Sequence, residues 1–218
     1  MIPTAPIAPS AILAPGNFGP GILALAIAYL LGGIPFGYLL VKLTTGRDVR
    51  ASGSGNIGAT NVLRTTGRTA GVATLLLDIG KGYLAVWLAG RLTGGNVSWM
   101  GAAALAVMIG HSYPLFLRFR GGKAVAAFVG AYLCLTPLPL AAALVVFVVM
   151  AAWTRHISLG SIVAAATFAL AVWLIEHPPA TVAAAAILSG ALIVYRHREN
   201  IVRLRAGTES VFSFGSGK

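Results

Sequence analysis

The sequence predicts an all-α integral membrane protein with seven transmembrane helices, some of them short, its N-terminus outside and its C-terminus in the cytoplasm. Three observations carry that expectation. Of the 218 residues, 57% are hydrophobic and only 10% charged. With a mean hydropathy of +0.85, the chain lies far from the half-apolar, quarter-charged balance of soluble domains. Apolar runs recur between Gly, Pro or charged residues, and the sixteen Lys and Arg behind the net charge of +11 cluster between those runs. A strongly basic chain can also bind nucleic acid, but here there is no basic tail and no aromatic interleaving, so the charge is read as membrane topology.

Residues 1–20, "MIPTAPIAPSAILAPGNFGP", carry no Lys or Arg and several prolines, unlike the basic start of a cleavable signal peptide. They are expected to form a flexible leader on the outer side, followed by one membrane domain over 21–209 and a flexible tail over 210–218. Within the domain the apolar segments are 21–43, 69–91, 97–117, 123–135, 138–154, 157–175 and 179–195. A crossing takes about 20 residues at a rise of about 1.5 Å, so the stretch 123–154 is the ambiguous one. It is too long for one ordinary span and is broken by "TPLP" at 136–139, where proline removes a donor and disfavours helix before it. Two short helices are expected, the alternative being one long kinked helix and six spans.

Charge favours seven. With seven spans every Lys and Arg except Lys81 and Arg91 falls on one side, while "TGGNVS", "TPLP" and "EHPPA" carry none. The positive-inside rule then makes that side cytoplasmic. Lys81 lies inside the second segment three positions after Asp78, close enough on a helix face to pair with it. That pair is either a structural tie between helices or part of a site.

Three polar clusters fall on the predicted cytoplasmic face. In "GSGNIGATNVLR" (53–64), Gly53, Gly55 and Gly58 permit tight backbone geometry, Ser54, Asn56, Thr60 and Asn61 supply neutral hydrogen-bonding groups, and Arg64 adds charge. A glycine-rich turn entering a helix can cradle a phosphate, although the Walker A pattern is absent; a helix-capping re-entrant turn is the plainer alternative. In "GHSYPLFLRFRGGKAVA" (110–126), Gly121 and Gly122 open a helix with Lys123 in its first turn, flanked by Arg118 and Arg120. His111 sits toward the inner end of the third segment, as a structural histidine or a base. In "YRHRENIVRLRAGTE" (195–209), His197 and Asn200 lie one turn apart among arginines that also suit an anionic-lipid anchor. Nothing has the spacing of a metal site or a hydrolase triad, and the lone Cys134 cannot form an internal disulfide. No metal and no cofactor are expected. Taken together the clusters predict a phosphate-binding site at the cytoplasmic membrane surface, suited to an enzyme joining a phosphate-bearing acyl donor to a phosphate-bearing acceptor.

These clusters, with "DIGKG" at 78–82, resemble the signature motifs of the bacterial PlsY family of acyl-phosphate:glycerol-3-phosphate acyltransferases, from about residue 20 to 209. The resemblance implies a seven-helix inner-membrane enzyme, expected as a monomer, with its active site facing the cytoplasm. It implies transfer of an acyl group from acyl phosphate to the 1-hydroxyl of sn-glycerol 3-phosphate, giving lysophosphatidic acid, the first acylation of phospholipid synthesis. It implies no acyl-CoA or acyl-carrier-protein donor. The first motif falls on Ser54, Gly55, Asn56, Thr60, Asn61 and Arg64, the second on His111, Gly121, Gly122 and Lys123, and the third on His197 and Asn200. Ser54, Asn56, Arg64, His111, Lys123 and His197 are the catalytic candidates; Gly53, Gly55, Thr60, Asn61, Lys81, Gly121, Gly122 and Asn200 are the substrate-binding ones. Ala124 occupies a position where glycine is expected in many relatives, which would slightly stiffen the helix start.

An acyl phosphate is already activated, so the protein must chiefly position two substrates and stabilise developing negative charge. Lys123 and Arg64 are expected to hold phosphates. The proton acceptor is His197, His111 or the substrate's own phosphate. A transporter of a phosphorylated solute would use similar anion chemistry, but such proteins commonly show paired repeats with broken helices near the midplane. Neither a repeat nor that placement is present here.

Overall fold

The computed structural model describes residues 15–211, and every regular element among them is helical. Ten α-helices run in order: α1 (Pro15–Gly32), α2 (Phe36–Thr45), α3 (Ala59–Thr66), α4 (Arg68–Leu92), α5 (Val97–Ser112), α6 (Val125–Leu135), α7 (Pro137–Thr154), α8 (Ile157–Glu176), α9 (Ala180–Arg196) and α10 (Arg198–Arg205). Helix α1 starts within the stretch expected as a leader; residues 1–14 of that leader, and 212–218 of the tail, lie outside the described residues.

Five stretches are long and apolar enough to cross a membrane: Phe18–Thr45, α4, Val97–Leu117, α7 and α8. The bent pair α9 and α10, which meet at 55°, makes a sixth if taken as one span. The large apolar side chains left exposed, among them Leu76, Leu138, Val145 and Leu170, form the lipid-facing surface of these helices.

Two predicted segments differ from straight helices, for reasons their prolines supply. The segment 21–43 is broken between α1 and α2, because Pro35 disfavours helix at Ile34 and brings no N–H of its own. The Ile34 carbonyl freed by the break accepts a 2.8 Å hydrogen bond from Lys81 Nζ. The segment 97–117 ends as α-helix at Ser112, ahead of Pro114, and continues as a 3-10 turn over Leu115–Leu117. At 136–137 the chain also breaks, and Pro137 begins α7. Helix α6 has 11 residues, hence a length of about 16 Å, roughly half the hydrocarbon thickness.

Small residues let the helices meet backbone to backbone, the main source of helix association where lipid removes the hydrophobic drive. Gly82 of α4 packs on the Ala127 carbonyl of α6, while Gly130 of α6 packs on the Ile79 carbonyl of α4. The same reciprocal contact joins α1 and α5, through Gly32 on Val107 and Gly110 on Tyr29. A Cβ at any of these four positions would collide with the facing carbonyl. Between α6, α8 and α9, Phe128, Tyr132 and Phe168 pack with ring centroids 4.5 to 4.8 Å apart. The buried Tyr132 hydroxyl finds its partner in Ser189 Oγ at 3.0 Å.

Candidate active site

The first polar cluster is a loop tied by one side chain. Helix α2 stops at Gly46, whose φ of 71° closes the helix, and Asp48 then caps a 3-10 turn at Val49–Ala51 by accepting from the Arg50 N–H at 2.9 Å. The Asp48 carboxylate also pairs with the Arg50 guanidinium at 2.7 Å, which holds it below the usual carboxylate range. Asn61, only 2% exposed, is the hub. Its Oδ1 accepts from the Ser54 N–H at 2.8 Å, and its Nδ2 donates to the carbonyls of Val49, Ser52 and Asn56 at 3.2, 3.1 and 2.8 Å. Gly53 turns at φ 60°, where a Cβ would run into the Asn61 amide. Asn56 Oδ1 accepts from the Gly58 N–H at 2.8 Å, a local turn that leads into α3. Asn61 therefore spends its polar groups inside the loop, whereas Ser54, Gly55, Thr60 and Arg64 are exposed.

The second cluster is anchored on both edges. The N–H groups of Gly121 and Gly122 donate to the carbonyls of Ser112 and His111 at 3.2 and 3.0 Å. Their own carbonyls accept from Arg196, Gly121 from Nη2 at 2.8 Å and Gly122 from Nε at 3.0 Å. The Arg196 guanidinium lies 5.0 Å from the Tyr113 ring centroid. Glycine is needed at both positions because a Cβ on Gly121 would strike the His111 carbonyl and one on Gly122 the His111 ring. With both N–H groups already bonded, the polar groups this loop leaves free of backbone pairing are the side chains of Arg118, Arg120 and Lys123. Ala124, at the helix start, takes a left-handed φ of 60°, the conformation that makes glycine the natural occupant of that position.

The third cluster completes a corner around that lysine. Lys123 Nζ donates to Asn200 Oδ1 at 2.5 Å, and Asn200 Nδ2 donates to Glu209 Oε1 at 2.6 Å. The same carboxylate accepts from Ser158 Oγ at 2.9 Å and from Arg203 Nε at 2.7 Å. Burial raises the Glu209 carboxyl, but the hydrogen bonds from Arg203, Asn200 and Ser158 outweigh it, leaving the group below its ordinary range. Lys123 is pushed down to about 8, first by burial and then by the competing charges of Arg203 and Arg196 against Glu209. His197 accepts no such partner: its Nδ1 lies 2.8 Å from the Ile193 carbonyl. A ring that donates there keeps its proton on Nδ1 and its lone pair on Nε2. Burial, followed by the nearby charge of Lys123, lowers His197 to about 4, so it is neutral at physiological pH.

The three clusters meet at one end of the helical bundle. Leu117, from the second, packs with Val49, Ile57 and Val62 beneath the first loop, and Lys123 and Arg196 join the second to the third. His111 and Lys81 stand apart from the open side. Both are 4% exposed and converge on Asp78, whose Oδ1 is 2.8 Å from Lys81 Nζ and 3.6 Å from His111 Nδ1. Two residues past Lys123, Val125 lines a small apolar cavity of about 30 Å³ between α6, α7, α8 and α9, together with Phe128, Leu140, Phe147 and Ile193. Among the described residues no three His, Cys, Asp or Glu side chains gather into a metal-binding group. Sequence reasoning missed Glu209, Ser158 and Arg196 as members of this corner. The one available signal was Glu209 itself, an acid closing a strongly basic stretch.

A corner that gathers Lys123 and Arg196 at the end of the bundle where the first loop also lies is chemically suited to an anion. Comparison with known proteins agrees in kind. Residues 22–207 match the family described as glycerol-3-phosphate acyltransferase. The glycerol-3-phosphate acyltransferase of Geobacter sulfurreducens is 48% identical over 88% of this chain and 97% of its own length. That of Geotalea daltonii is 49% identical over 85% and 94%. The crystal structure of PlsY (YgiH), an integral membrane glycerol 3-phosphate acyltransferase, in its glycerol 3-phosphate form has a TM-score of 0.84 at 39% identity, covering 88% of this chain and 96% of that one. Its lysophosphatidic acid form has a TM-score of 0.81 at 38% identity, covering 88% and 95%. By these matches over nearly its whole helical length, the chain belongs to the glycerol-3-phosphate acyltransferase family.

Proposed function

We propose that the protein transfers a fatty acyl group from acyl phosphate to the 1-hydroxyl of sn-glycerol 3-phosphate, releasing lysophosphatidic acid and inorganic phosphate. The observation that carries this is the lysine corner. Lys123 is held by Asn200 beside a neutral His197. A cation for an anionic head group and a proton acceptor side by side are what acyl transfer between two phosphorylated substrates needs. The glycerol 1-oxygen bonds to the acyl carbon, the bond from that carbon to the phosphate-bearing oxygen breaks, and phosphate leaves with the electron pair. Lys123 and Arg64 stabilise the phosphates and the charge that develops, with Ser54 and Thr60 as neutral donors. The hydroxyl proton passes to His197 Nε2 or to the substrate's own phosphate.

The same reading has the enzyme in the bacterial inner membrane as a monomer, crossing seven times with this site on the cytoplasmic side and its N-terminus outside. Two hydrogen bonds support seven passes over six. Lys123 precedes α6 and reaches Asn200, and Ser158 follows α7 and reaches Glu209, so the chain leaves this end of the bundle in α6 and returns to it in α7. The clustering of Lys and Arg at this end supports the orientation.

The test is product formation by purified protein offered labelled glycerol 3-phosphate with palmitoyl phosphate or palmitoyl-CoA. Lysophosphatidic acid from the acyl phosphate alone is expected. Product from palmitoyl-CoA alone would reassign the donor. No product from either, with glycerol 3-phosphate instead crossing proteoliposome membranes, would replace the enzyme with a transporter.

A further inference from the structure

We infer that Asp78, Lys81 and His111 form a buried strut that sets the spacing between the two anion-binding corners, and act as positioning residues rather than groups that touch substrate. The inference rests on the acyl-transfer reading above. Asp78 is 2% exposed and Lys81 and His111 are each 4% exposed, and all three lie in α4 and α5. Ionisable groups inside a membrane helix are costly and mark function. Yet none of these reaches the open side of the site.

The geometry shows what they hold. Lys81 Nζ bridges Asp78 at 2.8 Å and the Ile34 carbonyl at 2.8 Å, and lies 5.6 Å from the Phe36 ring centroid. It thereby fixes the break between α1 and α2. Gly37, just beyond that break, packs directly on the Ile57 carbonyl of the first loop. At the other end His111 faces Asp78 through Nδ1 at 3.6 Å, while its Nε2 fills the space a Cβ on Gly122 would need. Its carbonyl accepts the Gly122 N–H at 3.0 Å, one residue before Lys123. A histidine wedged between a carboxylate and a glycine has no nitrogen within reach of a substrate proton, so the part it can play is mechanical.

Each corner has its own internal fastening that does not involve the strut. Asn61 ties the first loop, and Arg196 and Asn200 tie the second. Cutting the strut therefore leaves each corner able to bind while letting the two drift relative to each other. A misplacement of about 1 Å between reacting groups can cost about 100-fold in rate.

Two variants test this: His111→Gln, which leaves the Asp78–Lys81 pair in place, and Asp78→Asn with Lys81→Met, which removes both charges together so that neither is stranded in the membrane. Both are measured for thermal unfolding, for glycerol 3-phosphate binding by titration calorimetry, and for kcat and KM toward both substrates. The expected result is folded protein that binds glycerol 3-phosphate like the wild type, with KM for each substrate within about threefold and kcat lowered by about 10- to 100-fold. Unchanged kcat, a raised KM with kcat kept, or failure of both variants to fold would each overturn the strut. Wild-type protein that forms no lysophosphatidic acid would instead remove the acyl-transfer reading, and the strut's role in it.

Discussion

The two corners of the site are built in opposite ways. The loop over 46–58 is closed by a single side chain, Asn61, whose partners lie 5 to 12 residues away in sequence. The lysine corner is assembled across the chain: Lys123 meets Asn200 from 77 residues away, Arg196 meets the glycine pair from 74 and 75, and Ser158 meets Glu209 from 51. The hydrogen bonds of the first corner all close within residues 48–61, although Leu117 and Val41 pack beneath it. The second exists only once α6, α8, α9 and α10 have packed. A locally tied loop should register damage as lost stability, and a corner gathered from distant elements should register it as lost chemistry.

Asn61→Ala probes the first half of that contrast most severely. It strands the Ser54 N–H and three carbonyls that the amide now serves, and should lower unfolding stability by about 3 kcal/mol, seen as a clear fall in the thermal midpoint. Unchanged stability would mean that the loop is held by something other than this amide. Gly53→Ala is milder. It places a side chain at φ 60° against the Asn61 amide, for an expected loss of about 2 kcal/mol by the same assay.

The second corner is probed by pH. Lys123, at about 8, is fully charged below that value and loses its charge as pH rises through it. KM for the substrate held there should therefore climb by up to about tenfold per unit above pH 8. His197, at about 4, is already neutral at pH 5, so kcat should be flat between pH 5 and 8 if it accepts the proton. A fall in kcat below about pH 6 would point to the substrate phosphate, which titrates there. The smallest effect belongs to Ala124→Gly. Relief of the left-handed backbone, about 1 to 2 kcal/mol, is set against a lost buried methyl of about 0.8 kcal/mol, so stability should change by no more than about 1 kcal/mol.

Legibility from sequence follows the same division. The helical segments were readable because apolar runs and prolines are local signals, and the break at Thr136–Pro137 sits where "TPLP" puts it. The break at Pro35 was hidden inside an apolar run whose hydropathy passes straight through it. The polar loop was readable as a turn from its glycines. Which of its polar groups face inward was not, because that depends on the backbone path around Asn61. Lys123, His197 and Asn200 were singled out from their motifs, and the structure brings them together. Glu209, Ser158 and Arg196 were not, since their roles come from contacts between residues far apart in sequence. His111 shows the same limit: its spacing from the glycine pair is visible in the chain, but Asp78 behind it is not.

The most direct test of the central claim is the turnover of Lys123→Ala in the palmitoyl phosphate assay, with its thermal midpoint measured alongside. The lysine is half-buried and serves only the long-range corner. A folded variant with a midpoint close to the wild type and lysophosphatidic acid formation reduced by about 100-fold or more is the predicted result. A folded variant that turns over acyl phosphate like the wild type would contradict the placement of the reacting phosphate at this corner.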